Sequence, residues 1–178
     1  MNLKIGLIGA PGAGKDTFAD FLVNHKDFKK LAFAGQIKKE YYQASDITEE
    51  YFKSVRGQPI EQKIRDGLWA YSDEMRSKHG KLHFISPVVQ EILEHSGNIV
   101  VTDIRTEDEF RQMEKAGAVM IIIIRDLKLD ALTSKLPGTR LSFVDIMGVP
   151  VLWNHSNNVD TAHKEFDMFY NNIILNFF

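Results

Sequence analysis

The sequence predicts an α/β fold of three layers, in which about five mostly parallel strands are flanked by helices on both sides. Apolar runs of strand length alternate with amphipathic helical patterns along the 178 residues. A glycine-rich loop joins the first such run to the first helical pattern. Val119 to Ile124, a run of mainly β-branched residues without polar alternation, predicts a strand covered on both faces. No linker or repeat divides the chain, so residues 1–178 are expected to form one domain.

The glycine-rich loop lies between a predicted strand at Leu3 to Ile8 and a helical pattern that follows Lys15. It matches G-x-x-x-x-G-K-[ST] except that Asp16 stands where serine or threonine usually follows the lysine, with Thr17 one place later. Glycines let the backbone aim its N–H groups at phosphate oxygens, and the lysine and the helix dipole add positive charge. A turn without a ligand would not require all of these features together. The predicted nucleotide-binding residues are Gly9, Ala10, Gly12, Ala13, Gly14, Lys15, Asp16, Thr17 and, farther along the chain, Arg125.

Composition narrows the classes of protein to consider. The formal net charge of −2 gives no support to nucleic acid or an anionic membrane as a partner, and the longest apolar run, Ala116 to Ile124, is too short to span a bilayer. Cysteine does not occur in the sequence, which excludes a disulfide framework and cysteine-ligated zinc. The first predicted strand leaves no room for a signal peptide, so a cytoplasmic protein is expected. The expected oligomeric state is a monomer or a homodimer.

A helix-rich stretch from about residue 35 to 95 follows a possible second strand at Lys30 to Phe33. Such a stretch is expected to form an insertion over the carboxyl ends of the strands, where ligands bind in open α/β sheets. Within it, Arg65 and Arg76 are eleven residues apart on one predicted helix, about three turns, and so share a face. Together with Lys38 they could bind a second anion. Two solvent-exposed arginines are the alternative.

Asp103 ends an apolar run that begins at Asn98 and has the length of a strand. A carboxylate at the end of a parallel strand could hold magnesium directly or through water, and a helix-entry aspartate is the alternative. Arg105 lies just beyond it and is suited to bidentate phosphate binding. Thr106 and Glu109 have the spacing of a capping box, which predicts the start of the next helix.

A polar segment of about residues 126–140, which contains a Pro-Gly pair, is predicted to form a lid-like loop. Arg125 and Arg140 flank this segment. Phosphoryl-transfer enzymes use cations that close over the transferring group, and a loop can deliver them. Surface salt bridges are the alternative role for each arginine.

The glycine-rich loop resembles that of the adenylate kinases, except that Asp16 replaces the glycine that follows the lysine in that family. A closer resemblance is to the phage-type deoxynucleoside monophosphate kinases, whose loops carry Gly-Lys-Asp-Thr. That family resembles this chain again at residues 33–38 and at residues 101–105, which are followed by Glu107 and Glu109. The resemblance implies a P-loop NTPase fold, ATP and Mg²⁺ at the loop, and a nucleoside monophosphate under the helical insertion. It also implies the cytoplasm as location, that of the host if the chain is phage-encoded.

Residues and resemblance together predict ATP- and Mg²⁺-dependent phosphoryl transfer to a (deoxy)nucleoside monophosphate, giving the diphosphate and ADP. In monophosphate kinases with glycine after the lysine, the hydroxyl one place later serves the metal, which implies that role for Thr17. The charge of Asp16 would repel a triphosphate without an intervening ion, so a water-mediated contact with Mg²⁺ is expected. The predicted catalytic residues are Lys15, Asp103, Arg105 and Arg140. The predicted acceptor-binding residues are Lys38, Arg65, Arg76 and Arg105, and the predicted metal-side residues are Asp16, Thr17 and Asp103.

Three other functions are weighed against this prediction. A kinase for another small phosphorylated acceptor, such as dephospho-coenzyme A or phosphomevalonate, would share the loop and the architecture. A GTPase-like switch is disfavoured because no Asn-Lys-x-Asp motif follows a later strand. A nucleotide-binding protein without catalysis is less consistent with the lysine, the strand-end aspartate and the several arginines.

Overall fold

The computed structural model describes residues 2–125, 139, 141, 148–156 and 158–177. Most of the predicted lid-like loop at about residues 126–140, including Arg140, lies outside the described residues. Across the residues that are described, none of the helices is both long enough and apolar enough to cross a membrane.

Five parallel strands form one sheet, which confirms the predicted fold class. The strands are β1 (Lys4–Ile8), β2 (Phe28–Leu31), β3 (Asn98–Val101), β4 (Val119–Ile124) and β5 (Val151–Trp153). They lie in the order β2-β3-β1-β4-β5, and each neighbouring pair runs parallel. Because β1 is the central strand, the glycine-rich loop that follows it opens at the middle of the carboxyl edge of the sheet.

Helices cover both faces of this sheet and complete the three layers. The helices are α1 (Lys15–Lys26), α2 (Phe33–Ala44), α3 (Glu49–Ser54), α4 (Pro59–His79), α5 (Ile85–Glu94), α6 (Glu107–Lys115) and α7 (Val159–Asn172), with a 3₁₀ turn at Ile174–Phe177. On one face, Phe18 of α1 and Phe166 of α7 pack edge to face, with ring centroids 5.0 Å apart, in a cluster with Ile5 of β1. On the other face, Ile92 of α5 and Phe110 of α6 belong to a second buried cluster. Full burial of each such side chain contributes about 1.5–3 kcal/mol to folding.

The second strand begins two residues earlier than the sequence predicts. It spans Phe28–Leu31 instead of Lys30–Phe33, and Phe33 is already the first residue of α2. The physical reason is a long-range hydrogen bond, in which the backbone N–H of Phe33 donates to the carboxylate of Asp103. This bond satisfies an N-terminal amide of the helix and so favours a helix start at Phe33.

Four helices, α2 to α5, come between β2 and β3 in the sequence. Phe52, Val55 and Ile64 form a small core that α3 and α4 share. Tyr41 of α2 approaches α4 so closely that a Cβ on Gly67 would lie 2.5 Å from the tyrosine hydroxyl oxygen. These three helices therefore pack on one another, and a role for this stretch in acceptor binding stays a prediction.

Candidate active site

The loop between β1 and α1 makes a tight turn that requires glycine at two positions. Gly14 is the N-cap residue of α1, with φ of +101°, and no side chain caps the helix. The first-turn amides are thus left for another acceptor, and the helix dipole favours an anion there. At Gly9, a Cβ would lie 2.4 Å from the carbonyl oxygen of Ile123 in β4. Only glycine fits at these two positions.

Lys15 extends its side chain back across the loop. Its ammonium donates hydrogen bonds to the carbonyl oxygens of Gly9, at 2.7 Å, and Ala10, at 2.8 Å. Burial lowers the pKa of Lys15, and the positive charge of Arg105 lowers it further, against the opposing effect of Asp16 and Asp103. A positive charge is therefore held over the loop at an electrostatic cost, which nearby phosphate charge would relieve.

Asp103 caps a helix with both of its carboxylate oxygens. Oδ1 accepts from the backbone N–H of Phe33 and Oδ2 from that of Ala34, each at 2.8 Å. Burial raises the pKa of Asp103, while these two bonds and the charges of Arg105 and Lys38 oppose that rise. The helix it caps is α2 and not the following α6. Since a carboxylate has about four lone-pair sites, the cap leaves room for a further contact.

The turn that carries Arg105 is held by a buried glutamate. Glu109 accepts hydrogen bonds from the backbone N–H groups of Arg105, at 2.8 Å, and Thr106, at 2.9 Å. Thr106 in turn caps the backbone of Glu109, so α6 begins with the predicted capping box. Burial raises the pKa of Glu109, in opposition to the two backbone bonds. Glu109 thus fixes the backbone from which the exposed Arg105 side chain extends.

Asp16 has a partner that the sequence does not reveal. Its carboxylate lies 3.0 Å from the ammonium of Lys30, which lies equally close to Asp20 one turn along α1. Burial lowers the pKa of Lys30, but the hydrogen bonds and charges of these two aspartates raise it above its usual value overall. Because the Asp16 side chain is 78% exposed, it remains accessible to ions. Its water-mediated metal contact, like the metal role of the half-buried Thr17, stays a prediction.

Asn154, which follows β5, is a buried residue of the site that the sequence analysis missed. Its side-chain amide donates to the carbonyl oxygen of Ala13 in the glycine-rich loop, at 3.0 Å. Its Oδ1 accepts from the backbone N–H of Ser156, and the carbonyl of Ser156 accepts from the guanidinium of Arg125, at 2.9 Å. The available sequence signal was a polar residue directly after a strand, at the same sheet edge as the loop.

The predicted acceptor-binding cations are not all brought together. Lys38 of α2 lies near enough to Asp103 for its charge to affect that carboxyl. On α4, Arg65 pairs with Glu61 of the same helix and stacks on a phenylalanine of α3. Arg76 instead lies over Phe84, 5.7 Å from the ring centroid. Among the described residues, neither arginine contacts the glycine-rich loop, so their role in acceptor binding stays a prediction.

The parallel sheet with β1 at its centre, and the glycine-lysine loop that opens between β1 and α1, define a three-layer P-loop NTPase fold. No protein-family model matches the chain, and no curated protein sequence matches it. A solved structure described as a putative kinase from Chloroflexus aurantiacus J-10-fl is similar over 96% of both chains, at 10% identity and a TM-score of 0.48. Shikimate kinase from Aquifex aeolicus VF5 is similar over 95% of this chain and 82% of its own, at 12% identity and a TM-score of 0.37.

Proposed function

We propose that the protein transfers the γ-phosphoryl group of ATP to a (deoxy)nucleoside monophosphate, with Mg²⁺, and releases the diphosphate and ADP. An oxygen of the acceptor phosphate attacks the γ-phosphorus, and the bond to the β–γ bridging oxygen breaks, so that ADP leaves with the electron pair. The observation that carries this proposal is the position of Lys15. Its ammonium spans the glycine-rich loop, and its pKa is lowered by burial and by the charge of Arg105.

The residues of the loop fit the phosphates of a nucleotide. The uncapped start of α1 offers backbone amides, and Lys15 offers charge beside the developing negative charge on the leaving group. Such transfer depends on positioning and charge neutralisation, which this set of groups can provide.

Mg²⁺ would neutralise charge on the β- and γ-phosphates. It commonly binds through phosphates, waters and one or two protein groups. Thr17 could supply a hydroxyl, and Asp103 and Asp16 could act through water. No group of three or more His, Cys, Asp or Glu side chains that could hold a metal ion occurs within the described ranges.

The acceptor is proposed to bind between the sheet edge and the helical insertion. Arg105 and Lys38 both lie near enough to Asp103 for their charges to lower the pKa of its carboxyl, so two cations are close to the junction of the sheet and α2. Arg65 and Arg76 would contribute to acceptor binding from α4. At the two ends of the predicted lid-like loop, Arg125 would contact the nucleotide and Arg140 the transferring phosphoryl group. The resemblance of three sequence blocks to the phage-type deoxynucleoside monophosphate kinases supports a nucleotide as the acceptor. The proposed location is the cytoplasm, that of the host for a phage-encoded chain.

The test is to incubate the protein with ATP, Mg²⁺ and one acceptor at a time, and to measure ADP formation. The panel contains the ribo- and deoxyribonucleoside monophosphates, dephospho-coenzyme A and phosphomevalonate. Turnover is expected with at least one nucleoside monophosphate, and Lys15→Ala should lower it by about 10²-fold or more. Lys29→Ala, which removes an exposed lysine of β2, is the matched control. Turnover only with another acceptor, or with none, would overturn the proposal.

A further inference from the structure

The segment that follows β5 is joined to the glycine-rich loop by one buried side chain. Asn154 is 3% exposed, and both ends of its amide are used. Its nitrogen donates to the carbonyl oxygen of Ala13, and its oxygen accepts from the backbone N–H of Ser156. Its own backbone N–H donates to the carbonyl oxygen of Ile124 in β4, at 2.8 Å. The side-chain amide is therefore held at both ends, and the backbone that carries it is held by β4.

The same side chain limits the next residue of the loop. A Cβ on Gly14 would lie 2.3 Å from Nδ2 of Asn154, far inside van der Waals contact. The left-handed backbone of Gly14 and the position of Asn154 are thus two parts of one packing arrangement.

The bond to Ala13 also determines the direction of an amide. In a trans peptide group the carbonyl of one residue and the N–H of the next point in opposite directions. Because the carbonyl of Ala13 points to Asn154, the N–H of Gly14 points away from the segment that follows β5. Gly14 is the N-cap residue of α1, so this N–H belongs to the group of amides available to an anion at the helix start.

We infer that Asn154 is a positioning residue of the nucleotide site, which holds the Ala13–Gly14 peptide in the orientation that binds phosphate. This inference rests on the proposed function to the extent that the loop binds ATP. Asn154 does not itself touch the phosphates. It acts through the loop backbone, so its loss should weaken ATP binding more than a general loss of stability explains.

The decisive variant is Asn154→Asp. It keeps the size of the side chain and the oxygen that accepts from Ser156, but it replaces the donor to Ala13 with a carboxylate oxygen. At pH 8 the two oxygens repel, and ATP should bind about tenfold or more weakly than to the unaltered protein. Burial beside the carbonyl of Ala13 should raise the pKa of the new carboxyl well above the usual value for aspartate. On acidification it therefore gains a proton and can donate to Ala13 again, so the difference should shrink to about threefold or less near pH 5.5.

The experiment measures ATP binding by titration calorimetry at both pH values, together with the urea midpoint of each protein. The unaltered protein at each pH corrects for the titration of ATP and of the histidines. Asn158→Ala is the matched control, because Asn158 lies in the same segment and its side chain caps α7 by accepting from the backbone N–H of Thr161, whereas no hydrogen bond links it to the glycine-rich loop among the described residues. This control should lose stability and keep its ATP affinity. Asn154→Ala provides a second variant that cannot recover at low pH.

The outcomes separate the two proposals. If Asn154→Asp is folded and binds ATP as the unaltered protein does, or if Asn158→Ala weakens binding equally, the positioning role is wrong. An affinity of Asn154→Asp that fails to recover on acidification also contradicts it, as does an unaltered protein that binds no ATP. If ATP binds and the variants behave as expected but no acceptor is phosphorylated, the proposed function falls and the positioning role stands.

Discussion

The carboxylate of Asp103 lies 2.8 Å from the backbone nitrogen of Phe33, although the two residues are 70 positions apart in the sequence. This bond joins the end of β3 to the start of α2, the first helix of the insertion. The charge of Asp103 also acts on Lys15 in the glycine-rich loop. Asp103 therefore stands where the proposed phosphate site and the proposed acceptor-binding helices meet.

Replacing Asp103 should affect both stability and activity. Asp103→Asn turns one acceptor into a donor that faces the N–H of Phe33 or that of Ala34, so the free energy of unfolding should fall by about 1–2 kcal/mol. Loss of the charge beside Lys15 should lower turnover by about 10–100-fold. Thr48→Ala is the control, because Thr48 caps α3 within the insertion. It should lose similar stability with unchanged turnover. Equal losses of turnover in the two variants would show that Asp103 acts only as a helix cap.

Asp16 and Asp20 provide a matched pair for the metal hypothesis. Both lie 3.0 Å from Lys30 and are exposed, so removal of either charge should change stability by about 1 kcal/mol or less. Only Asp16 is in the first turn of α1, beside the loop. Asp16→Asn should therefore raise the Mg²⁺ concentration needed for half-maximal turnover, while Asp20→Asn leaves it unchanged. An unchanged Mg²⁺ requirement in Asp16→Asn would exclude the water-mediated contact.

Glu109 is expected to influence acceptor binding through the backbone of Arg105. Glu109→Ala leaves two partly buried N–H groups without their acceptor and should cost about 1–3 kcal/mol of stability. Because the Arg105 turn is then released, KM for the acceptor should rise by about tenfold. Glu109→Gln keeps an acceptor oxygen and should restore most of both losses. Glu107→Ala, at an exposed position of the same helix, is the control. If KM for the acceptor moves no more in Glu109→Ala than in this control, Arg105 does not depend on Glu109.

The sequence predicts those features of the fold that depend on neighbouring residues. The glycine-rich loop, the start of α1 and the capping box at Thr106 follow from local backbone requirements, and each is present in the structure. The order of the strands and the start of α2 depend on contacts between distant residues. The sequence around Phe33 therefore predicts a strand there, since nothing near it in sequence indicates the cap from Asp103.

The candidate site could be predicted only in part for the same reason. Lys15 stands in a motif with a defined spacing, whereas Asn154 is one asparagine after a three-residue strand. Its importance depends on burial and on a carbonyl 141 residues away. Helical spacing correctly places Arg65 and Arg76 on α4. It does not indicate that each finds a partner close to its own position.

Gly12 and Gly14 allow the free-energy cost of backbone strain to be measured apart from the cost of a steric clash. Gly12 has φ of +79° and open space around a Cβ, whereas Gly14 has φ of +101° and Asn154 in the way. Gly12→Ala should destabilise the fold by about 1–2 kcal/mol, from the left-handed backbone alone. Gly14→Ala adds a steric clash and should cost about 2–4 kcal/mol. Urea denaturation of both variants provides the comparison, and equal costs would show that Asn154 moves aside freely.

The lowered pKa of Lys15 predicts a particular dependence of stability on pH. Between the pKa in the folded protein and the usual value of 10.5, the unfolded chain binds more protons at this lysine than the folded chain does. The free energy of unfolding therefore gains a contribution that rises with pH through that window. Lys15→Met removes this contribution, so the stability of the unaltered protein minus that of the variant should rise as pH increases from 7 to 10.5.

Lys30 has a raised pKa, because of Asp16 and Asp20, and gives the opposite control. Its contribution should persist through the same range and be lost only at higher pH. Urea unfolding of Lys15→Met and of Lys30→Met across this range tests the signs, and a flat or falling difference for Lys15→Met would show that the ammonium over the loop is not destabilised by its surroundings.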